Sequence, residues 1–99
     1  MTLFGFFNPR RKYKLNGEHW ERNKLRAKRR LSLERYDSSD DAQFFLYLDD
    51  LPSGRGFVGW VTERTLSKQT KYIEFKRRDA NWRIKVLRAD LIKALENLS

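Results

Sequence analysis

Residues 82–87 read Trp-Arg-Ile-Lys-Val-Leu, and this alternation constrains the chain more than any other feature. A β-strand points successive side chains to opposite faces. Trp82, Ile84 and Val86 therefore face one way, and Arg83, Lys85 and Leu87 the other. Three further segments alternate similarly: Gln43–Leu48, Phe57–Glu63 and Lys71–Arg77. Asp49–Gly56 and Leu66–Lys71 connect them, and a short loop over 78–81 closes a hairpin. Leu91, Ile92, Leu95 and Leu98 then recur at helical spacing, predicting a closing helix over Arg88–Leu98.

The expected body, residues 37–99, is a four-stranded antiparallel sheet with a C-terminal helix, an α+β fold. Alternation places Phe44, Leu46, Leu48, Phe57, Val61, Ile73, Phe75, Trp82, Ile84 and Val86 under that helix. The opposite face collects Tyr47, Trp60, Tyr72, Lys76, Arg83 and Lys85, with Phe45 and Val58 among them.

Residues 1–36 read differently. Residues 1–35 hold eleven Lys or Arg against three carboxylates (Glu18, Glu21 and Glu34), whereas residues 36–99 hold eleven against ten. Most of the net charge of +9 thus lies in the first third. Arg22–Arg30 contains six cations and no anion. Asn16-Gly17 reads as a turn or helix start, and Trp20, Ala27 and Leu31 recur at helical spacings. The expectation is a basic N-terminal helical arm, joined to the body through Asp37–Asp41 as one domain overall.

A balance this basic calls for a polyanionic partner. Arg10, Arg11, Lys12, Lys14, Arg22, Lys24, Arg26, Lys28, Arg29 and Arg30 are the candidate phosphate contacts, with His19 in solvent or on a phosphate. Aromatics interleaved with cations on an open sheet suit unpaired bases: Tyr47, Trp60 and Tyr72 for stacking, Lys76, Arg83 and Lys85 for phosphates. The expected partner is DNA or RNA, single-stranded where the sheet is used. Two alternatives stand beside this: the aromatic face is buried in a second core, under the N-terminal helix or at a dimer interface, or the basic chain binds and modulates a protein with an acidic surface. Phe4, Phe6 and Phe7, followed by Arg10-Arg11-Lys12, either rest on an anionic membrane or dock into the body's own core.

The 99 residues include no cysteine, which removes disulfides, Cys-ligated zinc and thiol nucleophiles, and fits a reducing, intracellular compartment such as the cytoplasm. No run is long enough to span a membrane. No zinc spacing, Ser–His–Asp set or phosphate-binding glycine loop is present, and no cofactor or enzymatic activity is expected; Gly54-Arg55-Gly56 is read only as a turn. One catalytic alternative exists. Glu74-Phe75-Lys76, after Asp49-Asp50, resembles the Glu-x-Lys core of restriction-endonuclease-like nucleases. That resemblance implies Mg²⁺ held by Asp50 and Glu74, with Lys76 on the water.

Residues 43–98 also resemble a PUR-type repeat, related in shape to whirly-like single-strand-binding folds. The resemblance rests on Phe44–Leu48, Gly54–Val58, a strand ending at Glu63, and Trp82–Val86 leading into the helix with Leu91, Leu95 and Leu98. It implies dimerisation and single-stranded DNA or RNA binding on the sheet.

Overall fold

The computed structural model describes residues 10–38, 41–76 and 81–99. The described residues form six antiparallel strands: β1 (Arg10–Glu21), β2 (Lys24–Ser38), β3 (Asp41–Leu51), β4 (Gly54–Val61), β5 (Tyr72–Phe75) and β6 (Trp82–Leu87). A short helix α1 (Glu63–Ser67) links β4 to β5, and α2 (Arg88–Leu98) closes the chain. The sheet order is β4-β3-β2-β1-β6-β5.

The expected N-terminal helical arm is therefore replaced by the two central strands of the sheet. Arg22 and Asn23 explain the difference. Both adopt left-handed backbone, with φ of 51° and 66°, the pattern of a two-residue hairpin turn matched to strand twist. Beyond the turn, alternation places Leu15, Leu31 and Leu33 in the core, with β1 and β2 in register from Glu21↔Lys24 to Arg10↔Tyr36. Cations fill so many of the remaining positions that the period of two is hidden in the sequence. Gly17 is neither turn nor helix start. It lies mid-strand, where a Cβ would run into the Leu31 side chain and stand 3.2 Å from the Lys85 carbonyl oxygen.

The sheet curls into a half-barrel around α2. Its two edge strands approach each other where Phe75 of β5 packs beside Gly59 of β4; a Cβ on Gly59 would lie 3.1 Å from the Phe75 ring. The core on the inner face joins Leu15, Leu31, Leu33, Leu46, Val61, Ile73, Phe75, Ile84 and Val86 to Leu91, Ala94 and Leu98 of α2. Phe44, Leu48 and Trp82 pack against it, so the expected inward set holds except for Phe57.

Two arginines hold the end of α2. Arg11 Nη2 and Arg35 Nη1 donate to the Leu98 carbonyl at 2.8 and 2.7 Å. Cations at a helix C-terminus satisfy orphan carbonyls and complement the dipole. Thr62 caps α1 and exchanges hydrogen bonds with Thr65, ending the β4 segment before Glu63. Arg88 donates from Nε and Nη2 to the Leu66 carbonyl at 3.1 and 2.9 Å, tying α1 to the start of α2.

Residues 43–98 supply four strands and a helix, but β1 and β2 lie between the β3–β4 pair and the β5–β6 pair. Among the described residues no helix is long and apolar enough to cross a membrane. The segment Phe4–Phe7, residues 77–80, which include most of the expected loop over 78–81, and part of the Asp37–Asp41 connection lie outside the described residues.

Candidate nucleic-acid interface

The outer face of the sheet carries an aromatic cluster at β3 and β4. Its geometry follows from one irregularity. Phe45 pairs with Trp60 and Leu46 with Gly59, but Tyr47 then pairs with Phe57, leaving Val58 as an extra residue. A bulge of this kind re-aims the side chains beyond it. Val58 packs against the core, while Phe57 turns outward to join Phe45, Tyr47 and Trp60. The expected places of Phe57 and Val58 are thereby exchanged.

The four rings meet edge to face. Centroids are 4.6 Å apart for Phe45–Trp60, 5.7 Å for Tyr47–Phe57 and 6.1 Å for Phe57–Trp60. Such contacts stabilise the cluster, yet it is not covered: Trp60 remains 53 % exposed and Phe57 46 %. A recess of about 470 Å³, lined by Phe44, Val61, Leu66 and Leu95, opens beside Trp60.

Ion pairs order the ground next to the rings. Glu34 is 1 % exposed although it alternates onto the outer face. A buried carboxylate needs partners. Arg55 Nη2 donates to Glu34 Oε2, and Lys12 Nζ lies 3.9 Å from the same oxygen. The Arg55 guanidinium lies over the Tyr47 ring, 4.0 Å from its centroid, with Nε 3.6 Å from Asp49. Ser32, also buried, donates to Asp49 Oδ1 at 3.0 Å.

Cations expected to contact phosphate fall into three groups. Lys14, Lys28 and Arg30 alternate onto the outer face of β1 and β2, are exposed, and make no side-chain ion pair among the described residues. Arg22, Lys24 and Arg26 cluster, exposed, at the β1–β2 hairpin tip, where β3 no longer pairs with β2. Others are committed within the protein. Arg29 donates to both Asp50 oxygens from Nε and to Oδ1 from Nη2, at 2.7–3.1 Å. Arg11 holds the end of α2, and Lys12 lies beside Glu34; Arg10 is the first residue of β1, and its side chain lies outside the described structure.

Tyr72, Arg83 and Lys85 do share the outer face with Tyr47 and Trp60, but on β5 and β6 at the other end of the strand order; where the two edges meet, Trp60 and Glu74 line one recess. Arg83 and Lys85 are internally paired. Glu74 lies 3.4 Å from Arg83 and 3.8 Å from Lys85. Lys85 Nζ sits 4.2 Å from the Trp20 ring centroid, and Trp20 Nε1 donates to Glu18 at 3.0 Å. Lys76 follows β5 and is exposed. His19 alternates inward opposite Ile84, meets the Trp82 ring edge-on at 6.5 Å and places Nε2 3.7 Å from Glu21.

The Asp50, Glu74 and Lys76 set is not assembled. Asp50, one residue before the end of β3, is engaged by Arg29 and the Arg30 backbone N–H, whereas Glu74 on β5 is engaged by Arg83 and Lys85. Phe57, Arg55 and Glu34 were not among the expected site residues. Phe57 is re-aimed by a bulge that alternation cannot show. The available signal for Arg55 is its place two residues before Phe57, which puts it on the same strand face when the strand starts at Gly54. No protein family, curated protein or solved structure was found to match the chain.

Proposed function

We propose that the protein binds single-stranded DNA or RNA across the outer face of its sheet, as a binder and not as an enzyme. The observation that carries this reading is the pair of half-exposed rings, Trp60 and Phe57, on the same face as Lys14, Lys28 and Arg30, cations with no ion pair among the described residues. Unpaired bases stack on exposed rings, at about 1–3 kcal/mol each, while cations follow the phosphates. On this face the Phe57–Tyr47 row continues through Ser32 to Lys14, two strands or about 10 Å beyond Tyr47. An anionic strand with apolar bases matches such a surface; a purely apolar partner would leave the cations unused.

The test measures binding of single-stranded and duplex oligonucleotides over a range of salt. Lys14→Gln/Lys28→Gln/Arg30→Gln should reduce the logarithmic salt slope for single strands by about two. Trp60→Ala should weaken single strands by about 1–3 kcal/mol and duplex little, since duplex bases are already stacked. Unchanged binding in both variants would refute the reading. Disruption of a dimer by Trp60→Ala in the absence of oligonucleotide would assign the rings to a second copy of the chain.

A further inference from the structure

Beside the exposed rings of the outer face, Arg55 is a cation whose orientation is fixed before any ligand arrives. Arg55 is pinned from below by Glu34, a carboxylate with a side chain only 2 % exposed. Its plane is carried by the Tyr47 ring. Exposed lysines such as Lys14 and Lys28 offer a point charge on a flexible stem, but a held guanidinium offers a fork of fixed geometry. Of its five N–H donors, one on Nη2 is used by Glu34. Nη1 makes no hydrogen bond among the described residues, and the side chain is 34 % exposed. The two Nη1 donors and the second donor on Nη2 are therefore unclaimed among the described residues. Arg55 and Phe57 are two residues apart on β4, about 7 Å, so the fork lies beside an exposed ring.

Resting on the single-strand reading above, we propose that Arg55 is a base-reading residue that selects guanine or cytosine at one position of the bound strand. A base stacked on Phe57 presents its edge toward the fork. Two parallel N–H donors need two adjacent acceptors. Guanine offers O6 and N7, the commonest partner of arginine. Cytosine, when unpaired, offers O2 and N3 on its Watson–Crick edge, which single strands leave open. Adenine places its N6 donor beside each of N7 and N1, and thymine or uracil places an N–H between its two carbonyls. Each of these meets the fork with a donor opposite a donor or with a single acceptor. Glu34 is the positioning residue: through Arg55 Nη2 it holds the guanidinium over the Tyr47 ring.

The experiment uses the full chain and thymine oligonucleotides of about twelve residues, within the span a small single-strand binder covers. Each carries one central guanine, cytosine, adenine or thymine. Wild type should bind the guanine and cytosine strands about fivefold or more tighter than the adenine and thymine strands. Arg55→Lys keeps a cation opposite Glu34 but loses the fork. It should flatten this ranking, with the guanine and cytosine strands falling to the affinity of the all-thymine strand. Glu34→Gln, which releases the fork, should also flatten it. A flat ranking in wild type overturns the proposal, and so does a ranking that survives Arg55→Lys. The wild-type ranking decides the matter alone if either variant fails to fold. Absence of binding to every strand would instead bring down the single-strand reading itself, a result distinct from binding without preference.

Discussion

The two faces of this sheet are built from the same strands and have different fates. Leu31, Leu33 and Leu46 on the inner face are fully buried under α2. One residue along, Phe45 and Tyr47 face outward and stay partly exposed, while Ser32 and Glu34 are buried there by polar side chains of the same face. The inner face is explained by the chain alone. The outer face is explained only in part: its ion pairs satisfy Glu34 and Asp49, yet Trp60 and Phe57 stay half in water. Large exposed apolar groups gathered in one patch mark a surface that meets something else.

Substitutions sharpen the contrast. The largest effect belongs to the inner face. Leu33→Ala removes a side chain with 0 % exposure and should cost about 2–5 kcal/mol in chemical unfolding. Phe57→Ala, the same kind of truncation on the outer face, should cost about 1 kcal/mol or less while impairing oligonucleotide binding. Equal losses of stability from the two would erase the distinction and make the outer rings a second core.

A smaller effect is expected where the β2–β3 pair ends. The hydrogen bonds from Arg29 hold the Asp50 carboxyl below its ordinary range, against a burial effect of opposite sign and with help from the Arg30 backbone N–H. The Arg29 guanidinium is correspondingly held above its usual value by Asp50. Folding thus favours ionised Asp50. Its contribution is complete above the unfolded carboxylate value, near about 4, and is lost as pH falls through the lower folded value. Asp50→Asn should cost about 0.5–1 kcal/mol at neutral pH, a drop of a few degrees in Tm. The gap to wild type should narrow as pH falls below about 4. A gap that is constant with pH would show that the pair contributes packing and not charge.

What could be read from the sequence follows the same division. β6 and α2 were legible to the residue, because Trp82–Leu87 alternates without interruption and Leu91, Leu95 and Leu98 form one stripe. The hairpin of residues 10–38 was not. On β2 only Leu31 and Leu33 mark the inner face, and toward the tip that face carries Ala27 and Arg29. A run of cations has no apolar period to read, so the turn at Arg22-Asn23 was the sole local sign of a hairpin. Tyr47 and Trp60 were correctly placed together by alternation, whereas Phe57 depended on the bulge at Val58. Glu34 and Arg55 depended on tertiary contact: they lie on strands separated by β3, and nothing in their local sequence links them.

The most direct test of the outer-face account is an amide chemical-shift titration of the full chain with a short single-stranded oligonucleotide. The account predicts that the largest shifts fall on Phe45, Tyr47, Arg55, Phe57 and Trp60, extending to Lys14 and Arg30, while Leu91, Ala94 and Leu98 stay unmoved. Shifts confined to α2 and the recess beside Leu95, or no shifts at concentrations that saturate the protein, would contradict it.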